Sequence, residues 1–217
     1  MKKHIVCFGD SNTHGHCADP TDTADGGVRF NEEERWPCVL QELLGKEYLV
    51  IEEGLNGRTT AFEDPECEGR RGMDSIYSCL YSYKGVDLLI LMLGTNDVKD
   101  RFYADAEQVG QGMEMLIEKA KSVAAWAGEK PNILLVAPPH ILEGVDRKVF
   151  GDAFGPDTVE KSRQLASVYA QVAKRQGCAF LDAQGIGEFN TLDCIHLTRR
   201  GHRNLARHFA EILPELL

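Results

Sequence analysis

The sequence predicts an α/β domain, a three-layer α/β/α sandwich built on a mainly parallel five-stranded sheet. Three observations predict it. Short apolar runs rich in branched residues recur along the chain, and turn formers close each one. Stretches with helical periodicity separate these runs. The strands are apolar almost throughout instead of alternating, as expected when helices cover both faces of a parallel sheet.

Taken in order, His4–Phe8 (HIVCF) is the first strand, and Arg35–Leu44 reads as a helix before the second strand, Tyr48–Glu52 (YLVIE). Asp87–Leu93 (DLLILML) is the third strand. Val109, Met113, Leu116, Ile117, Ala120 and Ala124 then share one helical face before the fourth strand, Asn132–Ala137 (NILLVA). Leu165, Val168, Tyr169 and Val172 repeat that face until Gly177 stops the helix. Cys178–Leu181 (CAFL) is a weaker fifth strand, and Arg199–Leu217 closes the set with Thr198 as its N-cap. Cys17–Glu34 and Pro138–Thr158 are too long for bare connections and are expected to wall a site. With no repeat, linker or low-complexity tract, residues 1–217 are expected to form one domain.

Composition narrows the function. Lys and Arg total 24 against 34 Asp and Glu, a net charge of −10, which argues against nucleic acid or an anionic membrane as main partner. Leu88 to Leu93 is the longest apolar run, far short of the ~20 residues a spanning helix needs. Lys2 and Lys3 precede too few apolar residues for a signal peptide. Seven scattered cysteines without a CxxC pair fit a reducing compartment, so a cytoplasmic location is expected.

Ligands of open α/β sheets bind at the carboxyl ends of the strands. Those ends carry Gly9-Asp10-Ser11-Asn12-Thr13-His14-Gly15, Gly54-Leu55-Asn56-Gly57-Arg58-Thr59 and Gly94-Thr95-Asn96-Asp97, with Asp193 and His196 after the last strand. A serine, a histidine, an aspartate and amide donors on one rim suit acyl transfer. Asp193 and His196 are three residues apart, so the carboxylate can hold one ring nitrogen while the other faces Ser11. Asp182, also after a strand, is the competing acid. Arg58 either fixes its loop or binds substrate.

The blocks FGDSNTHG, EEGLNGRTT, LGTND and DCIH, in this order and each after the right strand, resemble the SGNH (GDSL-type) hydrolase family along nearly the whole chain. The second and third blocks look closest to its bacterial arylesterases and acyltransferases. The resemblance implies a flavodoxin-like fold and a serine esterase. It implies Ser11 as nucleophile with Asp193 and His196, and an oxyanion hole formed by the N–H of Ser11, Gly57 and Asn96. It implies a small-molecule ester substrate, no cofactor, and homo-oligomerisation. Asn12 stands where the family usually has an apolar residue, and His14 where the subgroup tends to have a large aromatic, so the shape of the acyl pocket is open. Asn12, His14, Phe150, Phe154 and Ile195 are the candidate substrate contacts.

Three other readings compete. A carbohydrate O-deacetylase or a thioesterase would use the same residues. A flavin- or phosphate-binding module could cradle a phosphate with residues 11–15, but leaves Asn96, Asp193 and His196 unused. A metal site is not expected, because His14, His16 and Cys17 lack a second ligand cluster at zinc spacing. The polar loop Cys17–Glu34 cannot line a tunnel for a long lipid chain, whereas Leu142, Val145, Phe150 and Phe154 can wall a small pocket. Acetyl to butyryl esters are therefore the expected substrates.

Overall fold

Alternate residues of the apolar strands serve opposite faces of one sheet. Ile5 and Cys7 of the first strand, Leu88 and Ile90 of the third and Leu134 and Val136 of the fourth join one core; Val6, Phe8, Leu89, Leu91, Ile133 and Leu135 join the other. In a computed structural model describing residues 1–217, the elements are β1 (Lys3–Gly9), α1 (Ser11–His14), α2 (Trp36–Leu44), β2 (Tyr48–Gly54), α3 (Gly72–Tyr83), β3 (Val86–Met92), α4 (Ala106–Ser122), β4 (Ile133–Ala137), α5 (Thr158–Gln176), β5 (Ala179–Asp182) and α6 (Arg199–Leu216). All strand pairings are parallel, in the order β2-β1-β3-β4-β5, the flavodoxin-like order.

α2 and α6 cover the smaller core, where Trp36 packs on Phe209 with ring centroids 5.0 Å apart. α3, α4 and α5 cover the larger one. The helix ends follow their sequence signals. Thr198 Oγ1 accepts the Gly201 N–H, and Asp105 with Gln108 forms a capping box on α4. Gly177 ends α5 in the left-handed region.

Helix α3 has no counterpart among the sequence expectations. Only Gly72, Ile76 and Leu80 of its residues are buried, and serines and exposed tyrosines surround them, so its apolar stripe is too thin to show as a period. No helix is long and apolar enough to cross a membrane.

Candidate active site

The strand order reverses beside β1, between β2-β1 and β3, and this switch point is where an open α/β sheet receives ligands. Asp10, Ser11, Asn12, Asn96, Asp97, Asp193 and His196 gather at this carboxyl end, each 7% exposed or less. Buried polar groups are costly unless bonded, so their partners define the site.

Ser11 opens α1, a single turn whose N-cap Asp10 accepts the Asn12 N–H at 2.9 Å. Its Oγ lies 2.8 Å from His196 Nε2, and His196 Nδ1 lies 2.6 Å from Asp193 Oδ2. A carboxylate only accepts, so Nδ1 carries a proton and Nε2 is left to accept from the serine hydroxyl. The other carboxylate oxygen of Asp193 accepts from Asn190 Nδ2 (3.0 Å) and from the backbone N–H of Ile195 and His196 (3.1 Å each). Burial works to raise the Asp193 pKa, but the bond and charge of His196 and these N–H donors hold it below the ordinary value. Asp182 is spent elsewhere, accepting the Gln184 N–H at the end of β5.

Three donors flank the serine. The Ser11 and Gly57 N–H groups donate to no protein acceptor, and Gly57 sits at φ +78°, which leaves its amide free in a tight turn. Asn96 Nδ2 spends one hydrogen on Arg58 O at 3.2 Å and keeps its second. That bond sets the amide one residue from Gly57. Arg58 takes the structural of its two readings: it is buried, bonds Gly9 O at 2.9 Å, and stacks over the Phe8 ring at 4.0 Å. Below, Asp97 Oδ1 accepts both N–H and O–H of Thr60, tying the third block to the second, and burial pushes its pKa up to about 6.

A cavity of about 380 Å³ opens beside the neighbours of His196, lined by His16, Cys17, Ala18, Pro20, Val28, Val149, Phe150, Leu192 and Asp193; Ser11 and His196 are not part of its wall. Phe150 meets the His196 ring edge-on with centroids 5.8 Å apart. The other expected contacts do not line this cavity. Phe154 and Ile195 are 1% and 5% exposed and pack in the larger core. Asn12 spends its side chain on the Ile195 carbonyl and the Leu197 N–H, stapling the His196 loop to the first turn. His14 is absent from the cavity wall; its carbonyl takes the Arg29 guanidinium at 2.8 Å, and burial and Arg29 lower its pKa.

His16 stands in its place, its ring 4.3 Å from that of His196. Gly15 at φ +88° reverses the chain after α1, and the His16 N–H returns to Ser11 O at 2.9 Å. Burial, then the neighbouring His196, lower the His16 pKa to about 4, so it is a neutral wall at pH 7. His16, Asp193 and His196 hold ligand atoms within 4.8 Å of one another, but Asp193 already receives four donors, which leaves little coordinating capacity for a metal. Asn190 was not among the sequence candidates. Its side chain bonds Asp193 Oδ1, the His196 carbonyl and two backbone N–H groups, and its only sequence signal is the Asn-x-x-Asp spacing of a local turn. A phosphate-cradling turn finds no support, because α1 has four residues and Ser11, Asn12 and Thr13 are buried.

The model of the GDSL-like lipase/acylhydrolase family matches residues 7–203. An aryl esterase of M. smegmatis is similar in structure, with a TM-score of 0.88 and 33% identity over 99% of this chain and 100% of its own. A carbohydrate acetylesterase from Sinorhizobium meliloti has a TM-score of 0.89 and 30% identity, with each chain fully covered. An acetylxylan esterase of Xylanibacter ruminicola is 24% identical over 95% of this chain, which spans 42% of that relative's length.

Proposed function

The chain belongs to the GDSL-like lipase/acylhydrolase family of carboxylic ester hydrolases, and from that premise we propose that it cleaves short acyl esters of aryl or carbohydrate alcohols through an acyl-enzyme on Ser11. The observation that carries this reading is the buried Ser11–His196–Asp193 chain, with bonds of 2.8 and 2.6 Å. His196 Nε2 takes the Ser11 proton as Oγ attacks the ester carbonyl, and Asp193 steadies the imidazolium. The N–H of Ser11, the N–H of Gly57 and Asn96 Nδ2 receive the oxyanion. His196 returns the proton to the leaving alcohol, and water or a second alcohol then takes the acyl group by the reverse sequence.

If Asn96 donates only to the developing oxyanion, Asn96→Ala lowers kcat by roughly 10²–10³ and leaves KM nearly unchanged. A raised KM with intact kcat would reassign Asn96 to substrate binding.

The short acyl group follows from what lines the cavity. Leu142, Val145 and Phe154 of the long loop pack into the cores, so that loop offers the cavity only Val149 and Phe150. Each further buried methylene is worth about 0.8 kcal/mol. The wall is mainly apolar, and the Cys17–Glu34 loop, expected to be too polar, contributes Ala18, Pro20 and Val28 to it. But Val28, Val149, Phe150 and Leu192 are all exposed, so it forms an open patch and not a deep channel for a long chain. A panel of p-nitrophenyl esters from acetyl to octanoyl, with acetylated xylo-oligosaccharides and a Ser11→Ala control, is expected to peak at or below butyryl. A kcat/KM climbing steadily to octanoyl overturns the short-acyl reading.

The seven cysteines, none of them disulfide-bonded, support a cytoplasmic location. Exposed Val149, Phe150 and Leu192 at the mouth support a homo-oligomer, to be checked by sedimentation.

A further inference from the structure

Helix α6 carries Arg199, Arg200, Arg203 and Arg207, four of the chain's 24 basic residues within nine positions, in a protein of net charge −10. Its buried face (His202, Leu205, Ala206, Phe209) is packed, so the arginines occupy the solvent side. They line a cavity of about 520 Å³ together with Asp22 and Asn204, and no apolar side chain contributes. Helix stability does not account for them. The first turn holds no acid, and Arg199 and Arg200 within it oppose the helix dipole by about 0.3–1 kcal/mol each, while Arg203 and Arg207 lie beyond that turn and gain nothing from it.

Nor are all of them neutralised by the protein. Arg199 pairs with Glu34 at 2.9 Å and Arg200 with Glu188 at 2.6 Å. Asp22 is occupied by the Arg199 N–H at 2.7 Å. Arg203 and Arg207 are exposed and make no ion pair or hydrogen bond with the protein. They are four residues apart on one helix face, hence about 6 Å apart along its axis. Asn204 between them also lines two adjoining depressions, one with Arg200, its partner Glu188 and apolar side chains such as Leu142 and Phe189, the other with Arg207, His208 and the carboxylate of Glu211. The uncompensated positive charge is thus confined to Arg203 and Arg207.

We propose that this face of α6 is a binding site for an elongated ligand bearing two or more anionic groups about one helical turn apart, phosphates or carboxylates. Each guanidinium can grip such a group through paired N–H donors. Two groups on one ligand engage both arginines at high effective concentration, so a multiply charged ligand outcompetes single anions. Charges this close lie within the screening length of about 8 Å at physiological salt and act together.

The test is calorimetric titration at about 0.15 M salt, the ionic strength for which that screening length holds, with inorganic phosphate, tripolyphosphate and tetragalacturonate as probes. Tripolyphosphate or tetragalacturonate is expected to bind at least roughly tenfold more tightly than phosphate, and the tighter of the two names the anion source. Arg203→Ser with Arg207→Ser is expected to remove at least roughly tenfold of that affinity while kcat/KM for p-nitrophenyl acetate stays unchanged. Lys130→Ser with Arg147→Ser removes the same charge from exposed positions elsewhere and is expected to leave binding intact. The site is refuted if neither multivalent probe binds, if phosphate alone binds as tightly, if the α6 variant binds like wild type, or if both double variants lose affinity equally.

Discussion

Ser11→Ala and His196→Ala are each expected to lower kcat for a good acetyl ester by roughly 10⁵–10⁶, and the double variant to be scarcely worse than either. The non-additivity follows from the geometry. The serine hydroxyl is a poor nucleophile without a base 2.8 Å away to take its proton, and the imidazole has nothing to activate once Oγ is gone. What survives is the catalysis the oxyanion donors supply alone. Neither change should disturb the fold. Asp193 keeps its bonds to Asn190 Nδ2 and to the Ile195 and residue-196 N–H groups, and Ser11 removes only one oxygen. Circular dichroism and thermal melts check this. Ser11→Ala retaining more than about a tenth of the activity would exclude the serine mechanism.

Asp193→Asn is the second large effect, expected near 10⁴ in kcat with the protein still folded. An asparagine there has one acceptor and one donor side, and its surroundings choose between them. Three N–H groups already point at the position of Oδ1, so the amide oxygen must sit there and the NH₂ must face His196 Nδ1. That forces Nδ1 to accept, moves the ring proton to Nε2, and leaves Ser11 facing a donor. Raising the pH cannot restore the right tautomer, so the loss should persist across the pH profile. Recovery of activity at high pH would show instead that the carboxylate contributes mainly its charge.

The chemistry-bearing blocks were readable because each sits after a strand whose continuous apolar character is unmistakable. Sheet topology places those ends together whatever the loops do. The pocket was less readable, for reasons that differ by residue. Phe154 and Phe150 are both aromatic, four apart in one loop, yet one fills the core and the other meets His196; hydrophobicity cannot say which side of a loop turns inward. His16 takes the place expected of His14 because a left-handed glycine between them reverses the chain, and its geometry is not a property of either histidine. Asn12 and Asn190 hold the active loop through hydrogen bonds to backbone atoms, which leave no periodic trace. α3 escaped notice because three buried residues in twelve make too narrow a stripe.

The hydrogen bond between Ser11 and His196 joins residues 185 apart in sequence, and Asn12 fastens the same two segments beside it. On the ribosome, at 5–20 residues per second, the nucleophile therefore emerges about 10–40 s before its base. A nascent chain that has already formed β1 to β4 is hydrolytically silent until that later loop arrives. In refolding, recovered turnover would time the arrival of residues 193–197 on the first turn, after helical signals have reached their final amplitude. A lag between ellipticity and activity in one stopped-flow experiment would measure how long the enzyme exists as a formed sheet without a working serine.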